Sequence, residues 1–175
     1  MYMQPSSTVL RRPPGIIAGV TAGWAVFGLF LAIDSELRLP PGTFYKMVGL
    51  AFGVGPPYGL YIGFALHMIT AIVIGIIYSS ISTRVKKLHI DSVPKGLGTG
   101  ILTGVVVWAI FFLPLNYVVM QPTLQNMVKT LNPSTSEYQM AKQLLQLSST
   151  IFFGALALHV VFGGVMGFCA RLAVA

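Results

Sequence analysis

The chain has 175 residues, of which 55% are hydrophobic and 9% charged, with a mean hydropathy of +0.79. Soluble domains carry about 25% charged residues, so eleven basic and four acidic side chains are too few to keep this chain in water, and its solvent is expected to be lipid. The net charge of +7 is not gathered into a dense patch, which argues against nucleic acid as a partner, and three histidines, four carboxylates and one cysteine leave little material for an enzyme.

The first predicted element is Gly15–Ile33, GIIAGVTAGWAVFGLFLAI, an uncharged run of 19 residues that would make about 28 Å of helix. Arg11 and Arg12 ahead of it match the positive region of a signal peptide. The run is too long for one, however, and Ile33–Asp34–Ser35 is a poor cleavage site, so it is read as a retained span. The connection from Asp34 to Pro57 opens with Asp34, Glu36 and Arg38, which with Asn116 near the corresponding end of the third span are read as solvated helix-end groups, with an outer vestibule as the alternative. Between Pro40–Pro41–Gly42 and Pro56–Pro57 lies TFYKMVGLAFGVG, too short to span and suited to an interfacial or re-entrant segment.

Tyr58–Ser80 is the second span, followed by a loop with Arg84, Lys86 and Lys87 that could touch anionic headgroups. The third span runs from about Gly96 to Met120, and Pro114 is expected to kink its far end. Its glycines make no dinucleotide fingerprint, because the third one falls a position late and no strand precedes them. The connection Gln121–Ser149 contains Ser134-x-x-Glu137, a capping-box pattern. A helix is predicted from there through Leu144–Leu145 and on into the fourth span, about Thr150–Val174, and the two outer connections are expected to pack together as a cap. The single Cys169 lies in an apolar run and is read as a buried thiol that forms no intramolecular disulfide.

Four spans put both termini on one side. That side carries Arg11, Arg12, Arg84, Lys86, Lys87, Lys95 and Arg171, against Arg38, Lys46, Lys129 and Lys142 opposite. The positive-inside rule then predicts a multi-pass protein of the cell membrane with both termini cytoplasmic.

Displacing the first span by 81 positions puts Gly15, Gly19 and Gly23 on Gly96, Gly100 and Gly104, Phe27 on Trp108 and Phe30 on Phe111. Displacing the second by 92 puts His67 on His159 and Gly75 on Gly167, with Ala-Leu before each histidine. The predicted fold is therefore an all-α integral membrane domain over residues 1–175. It is a four-helix transmembrane bundle of two parallel two-helix repeats, about 14–80 and 95–174, with structured outer loops. Gly15, Gly19, Gly23, Gly63, Gly75, Gly96, Gly100, Gly104, Gly163 and Gly167 form stripes that let backbones approach where lipid supplies no hydrophobic drive between helices.

His67 and His159 fall at mid-span, where a polar ring is costly. Equal depth on two helices is what a bis-histidine haem needs. A metal site wants further ligands, which are missing at that depth, and a proton relay wants partners beyond Thr21, Thr70, Thr99 and Thr103. The plainest expectation is that each neutral ring bonds to a threonine or carbonyl of the neighbouring helix, with no cofactor and no metal.

In its duplicated glycine stripe and Ala-Leu-His unit the whole chain resembles uncharacterised four-span prokaryotic membrane proteins. The segment Leu39–Lys46, LPPGTFYK, is similar to sequences of ammonia-oxidising archaea. Through them it resembles the small accessory membrane subunits of the archaeal ammonia monooxygenase complex. That resemblance implies an assembly role beside copper-bearing catalytic subunits and carries no catalytic residue onto this chain. Three classes of function follow. The first is a non-catalytic structural or accessory subunit with other membrane subunits as partners. The second is a small-solute channel or carrier, working as a homo-oligomer, and the third is a haem protein using His67 and His159. The scarcity of reactive groups favours the first.

Overall fold

The computed structural model describes residues 14–55 and 57–173; Arg11, Arg12, Pro56 and Val174 lie outside the described residues. The elements are α1 (Pro14–Glu36), α2 (Thr43–Ala51), α3 (Gly59–Arg84), a 3-10 turn at Lys86–Leu88, α4 (Val93–Val107), α5 (Gln121–Thr130), α6 (Ser136–Gln146) and α7 (Ser148–Ala173). Four stretches are long and apolar enough to cross a membrane: Gly15–Glu36, Gly59–Arg84, Val93–Thr130 and Ser148–Ala173.

The third stretch is longer than its sequence predicts. α4 passes through two wide π turns, Trp108–Phe112 and Leu115–Met120, into α5, making one helical rod of 38 residues. The chain does not leave the helix at Pro114, whose φ is −60° and ψ −44°. A proline has no N–H to give to the ladder, and flanking π turns let the freed carbonyls find other donors.

α1 and α3 pair antiparallel, with Gly15 against the backbone of Gly75 and Gly19 against that of Ala71. α4 and α7 pair the same way, with Gly96 against Gly167 and Gly100 against Gly163. At these positions a Cβ would overlap the facing backbone, so only glycine permits the approach. Between the pairs, Ala18, Ala22 and Val26 of α1 join Leu158, Phe162 and Met166 of α7 in one apolar core. The helices thus stand in the order α3, α1, α7, α4. α3 reaches α4 through Tyr78, whose hydroxyl donates to the Gly96 carbonyl at 3.1 Å and meets the Thr99 hydroxyl at 2.8 Å.

A second apolar cluster closes the end opposite the start of α1 and the end of α7, hereafter the distal end. Leu39 and Met47 from the first connection pack there with Met120 of the second π turn and with Leu124, Ala141 and Leu144 from the second connection. Gln143 Nε2 adds a hydrogen bond to the Leu37 carbonyl at 2.8 Å. The two outer connections do pack on each other. α2 folds back antiparallel over the first turns of α3, with Gly49 against Gly59 and Gly63 against the backbone of Tyr45.

The cap of α6 is shifted by one residue from the expected Ser134. Asn132 Oδ1 draws off the Ser134 hydroxyl at 2.9 Å, and Thr135 Oγ1 instead accepts from the Tyr138 N–H at 3.3 Å. Nor does α6 run on into the fourth span: the chain turns at Leu147, where φ is −87° and ψ 9°, before α7 begins.

Candidate functional site

Asp34 is only 4% exposed, contrary to its reading as a solvated helix end. The first N–H groups of α2 have no acceptor within their own helix. Asp34 Oδ2 supplies one, accepting from the Gly42 N–H at 2.8 Å and the Thr43 N–H at 3.1 Å, while the Thr43 hydroxyl donates to the Pro40 carbonyl at 2.5 Å. Gly42 makes this turn with φ of 76°, a backbone region that favours glycine. The carboxylate thus holds the N-terminus of α2 against the end of α1.

Tyr45, one turn further on, is buried among Phe27, Phe30, Phe44, Phe64 and His67, with ring centres 5.4–5.8 Å from its own. Its hydroxyl is buried without a hydrogen-bond partner. Burial above all, and then the Asp34 carboxylate, holds this phenol above its ordinary pKa.

Asp34 also lines a partly open chamber of about 320 Å³ bordered by α1, α2, the α4–α5 rod, α6 and α7. A cleft of about 580 Å³ lies beside it, bordered by Tyr117, Gln125, Ser149, Phe152 and Phe153. Asn116 and Gln121 belong to both spaces. Asn116, in the second π turn, is 5% exposed, so it too is no solvated end group. Asp34, Glu36 and Asn116 thus share one wall, the arrangement given by the vestibule alternative, whereas Arg38 is not among the lining residues.

The two histidines lie on separate helix pairs and bond differently. His67 Nε2 meets the Gly23 carbonyl of α1 at 3.3 Å, a bond to the neighbouring helix as expected. His159 Nδ1 bonds instead to the Ala155 carbonyl of its own helix at 2.7 Å. The reason lies in the seam: Gly104 presses on the backbone of His159, whereas Gly23 rests on Met68 and Ala71, which leaves room for the His67 ring. Phe30 stands 6.3 Å from His67 and Phe112 stands 6.1 Å from His159. Phe111, the residue matched to Phe30 by displacement, faces outward with 53% exposure.

Of the stripe glycines, Gly15, Gly19, Gly23 and Gly75 lie between α1 and α3, and Gly96, Gly100, Gly104, Gly163 and Gly167 between α4 and α7. Gly63 faces α2 instead. Among the described residues no group of three or more His, Cys, Asp or Glu side chains could hold a metal ion. Thr99 and Thr103 donate to carbonyls of their own helix, and Thr21 and Thr70 are exposed. Comparison with known protein families, characterised proteins and solved structures finds no match to this chain.

Proposed function

We propose that the protein is a non-catalytic accessory subunit of a larger membrane complex, set in the cell membrane with both termini cytoplasmic. What supports this reading is the filled interior between the helix pairs. Ala18, Ala22, Ala71, Phe162 and Met166 close it with small and apolar side chains, while the buried polar side chains Asp34, Thr43 and Asn116 lie toward the distal end. A channel or carrier needs a line of polar groups along its path. A closed bundle with a built distal cap suits a part that packs against and positions other subunits. The Leu39–Lys46 segment, whose Pro40–Gly42 turn rests on Asp34, carries the proposed partner class, the copper-bearing catalytic subunits of a membrane monooxygenase.

We also read the chain as one two-helix unit written twice. In support, the glycine contacts of α1 with α3 recur between α4 and α7 at displacements of 81 and 92 residues. Beyond the first π turn the displacement along the rod becomes 82, which carries Phe30 to Phe112 and Asp34 to Asn116. A π turn adds one residue to a helix without changing the face presented after it.

Native electrophoresis after extraction in mild detergent tests the functional reading. Co-migration with a larger complex, and no solute flux from the isolated protein in liposomes, is the expected result. Flux through the isolated protein with no co-migrating subunits would replace it by the channel reading.

A further inference from the structure

We propose that the distal chamber binds a small amphiphile, an alkyl chain ending in a hydrogen-bond donor such as a hydroxyl. Its volume of about 320 Å³ lies within the roughly 300–1,000 Å³ range of small-ligand sites. Phe30, Phe44, Met47, Phe112, Met120 and Leu158 make its walls apolar. Left empty, such a space forfeits dispersion contacts on every side, and its apolar walls hold water poorly.

The polar groups select the head. Asp34 and Asn116, 4% and 5% exposed, contribute one side chain from each helix pair. Both hydrogen bonds to Asp34 fall on Oδ2, leaving Oδ1 for a donor in the chamber. No lysine, arginine or histidine lines the space, while Asp34 and Glu36 do, so the lining itself offers a carboxylate or phosphate head two like charges and no basic partner. Asn116 and Gln121 are shared with the adjoining cleft, which gives the head a polar way in. Gly154 lines the same chamber, and a Cβ there would meet no atom within 4 Å. A larger side chain at 154 therefore fills the site without displacing its walls.

The probe is 1-decanol carrying a photoreactive diazirine in its chain, added to the purified full chain in phosphatidylcholine liposomes. Saturable adducts at Phe112, Met120 or Leu158 are expected, competed by unlabelled 1-decanol and about tenfold more weakly by its methyl ether, which has no donor. They should disappear in Gly154→Leu, and in Thr150→Leu at the exposed rim, the second variant guarding against misfolding of the first. Adducts confined to outward residues such as Val118 and Phe153, or unchanged in both variants, would overturn the site. Equal competition by alcohol and ether would overturn the donor-head assignment.

Discussion

Phe112 stands 6.1 Å from the ring of His159, holding the place that Phe30 holds 6.3 Å from His67. The glycines below these aromatics are 81 residues apart, the aromatics 82, and the π turn Trp108–Phe112 takes up the difference. Phe112 is 3% exposed and Phe111 53%. Phe112→Ala should therefore cost about 3 kcal/mol, within the range for a buried phenylalanine, and Phe111→Ala under about 1 kcal/mol. Unfolding midpoints in mixed micelles would measure both. The reverse order would mean that the rod keeps α-helical phase through residue 112.

Gly100 and Gly163 each block the space a Cβ would need on the other. The obstacle is backbone on both sides, so no side chain can swing away. Gly100→Ala is expected to lose about 1–3 kcal/mol, and Gly100→Leu or Gly19→Leu to separate the helices of their pair. Gly98 is the control, since a Cβ there meets nothing within 4 Å. Gly98→Ala should gain about 0.5–1 kcal/mol from the stiffer unfolded chain. Thermal unfolding of the four alanine and leucine variants beside wild type would separate packing from propensity.

Tyr45 predicts an alkaline limb in the stability profile. Its pKa is raised in the folded protein, so above the unfolded-chain value of about 10 the unfolded state sheds a proton that the folded state keeps. Stability is full below that pH and falls as pH rises through it. Tyr45→Phe removes this contribution to the decline and also a buried hydroxyl without a partner, and is expected to stabilise by about 1 kcal/mol near neutrality. Denaturation of the two proteins between pH 8 and about pH 11 checks the difference; parallel curves would show a phenol that titrates normally.

With His67 Nε2 at the Gly23 carbonyl and His159 Nδ1 at the Ala155 carbonyl, each ring is occupied within its own helix pair. Purified protein titrated with haem is expected to leave the Soret band as it is for free haem, neither shifted nor sharpened. His67→Ala should cost roughly 1 kcal/mol, the worth of an interhelical hydrogen bond in a membrane. A shifted, sharpened Soret band in wild type that reverts to that of free haem in both His67→Ala and His159→Ala would make the pair haem ligands.

The glycine pairs were legible because a four-residue spacing fixes one helix stripe and lipid offers few other ways to hold helices together. Asp34 was not. Its partners are the Gly42 and Thr43 N–H groups, reached only after the chain turns at Pro40–Gly42, and no periodic pattern carries such a bond. The helix beyond the third span was not legible either: it runs on from the second π turn through Pro122 to Thr130. Thr135 displaces Ser134 as cap through one side-chain bond to Asn132, a competition settled by geometry that residue type alone leaves open.

The rod Val93–Thr130 has 38 residues, at most about 57 Å at 1.5 Å per residue, against roughly 30 Å for a hydrocarbon core. Tilt absorbs only part of such an excess. On the proposed membrane placement its distal turns and α6 would stand in the aqueous phase, with Lys129 and Lys142 exposed upon them. An amine reagent that does not cross lipid would label those two lysines from one side and Lys86 and Lys87 from the other. The length of one helix therefore turns four surface lysines into a ruler for sidedness.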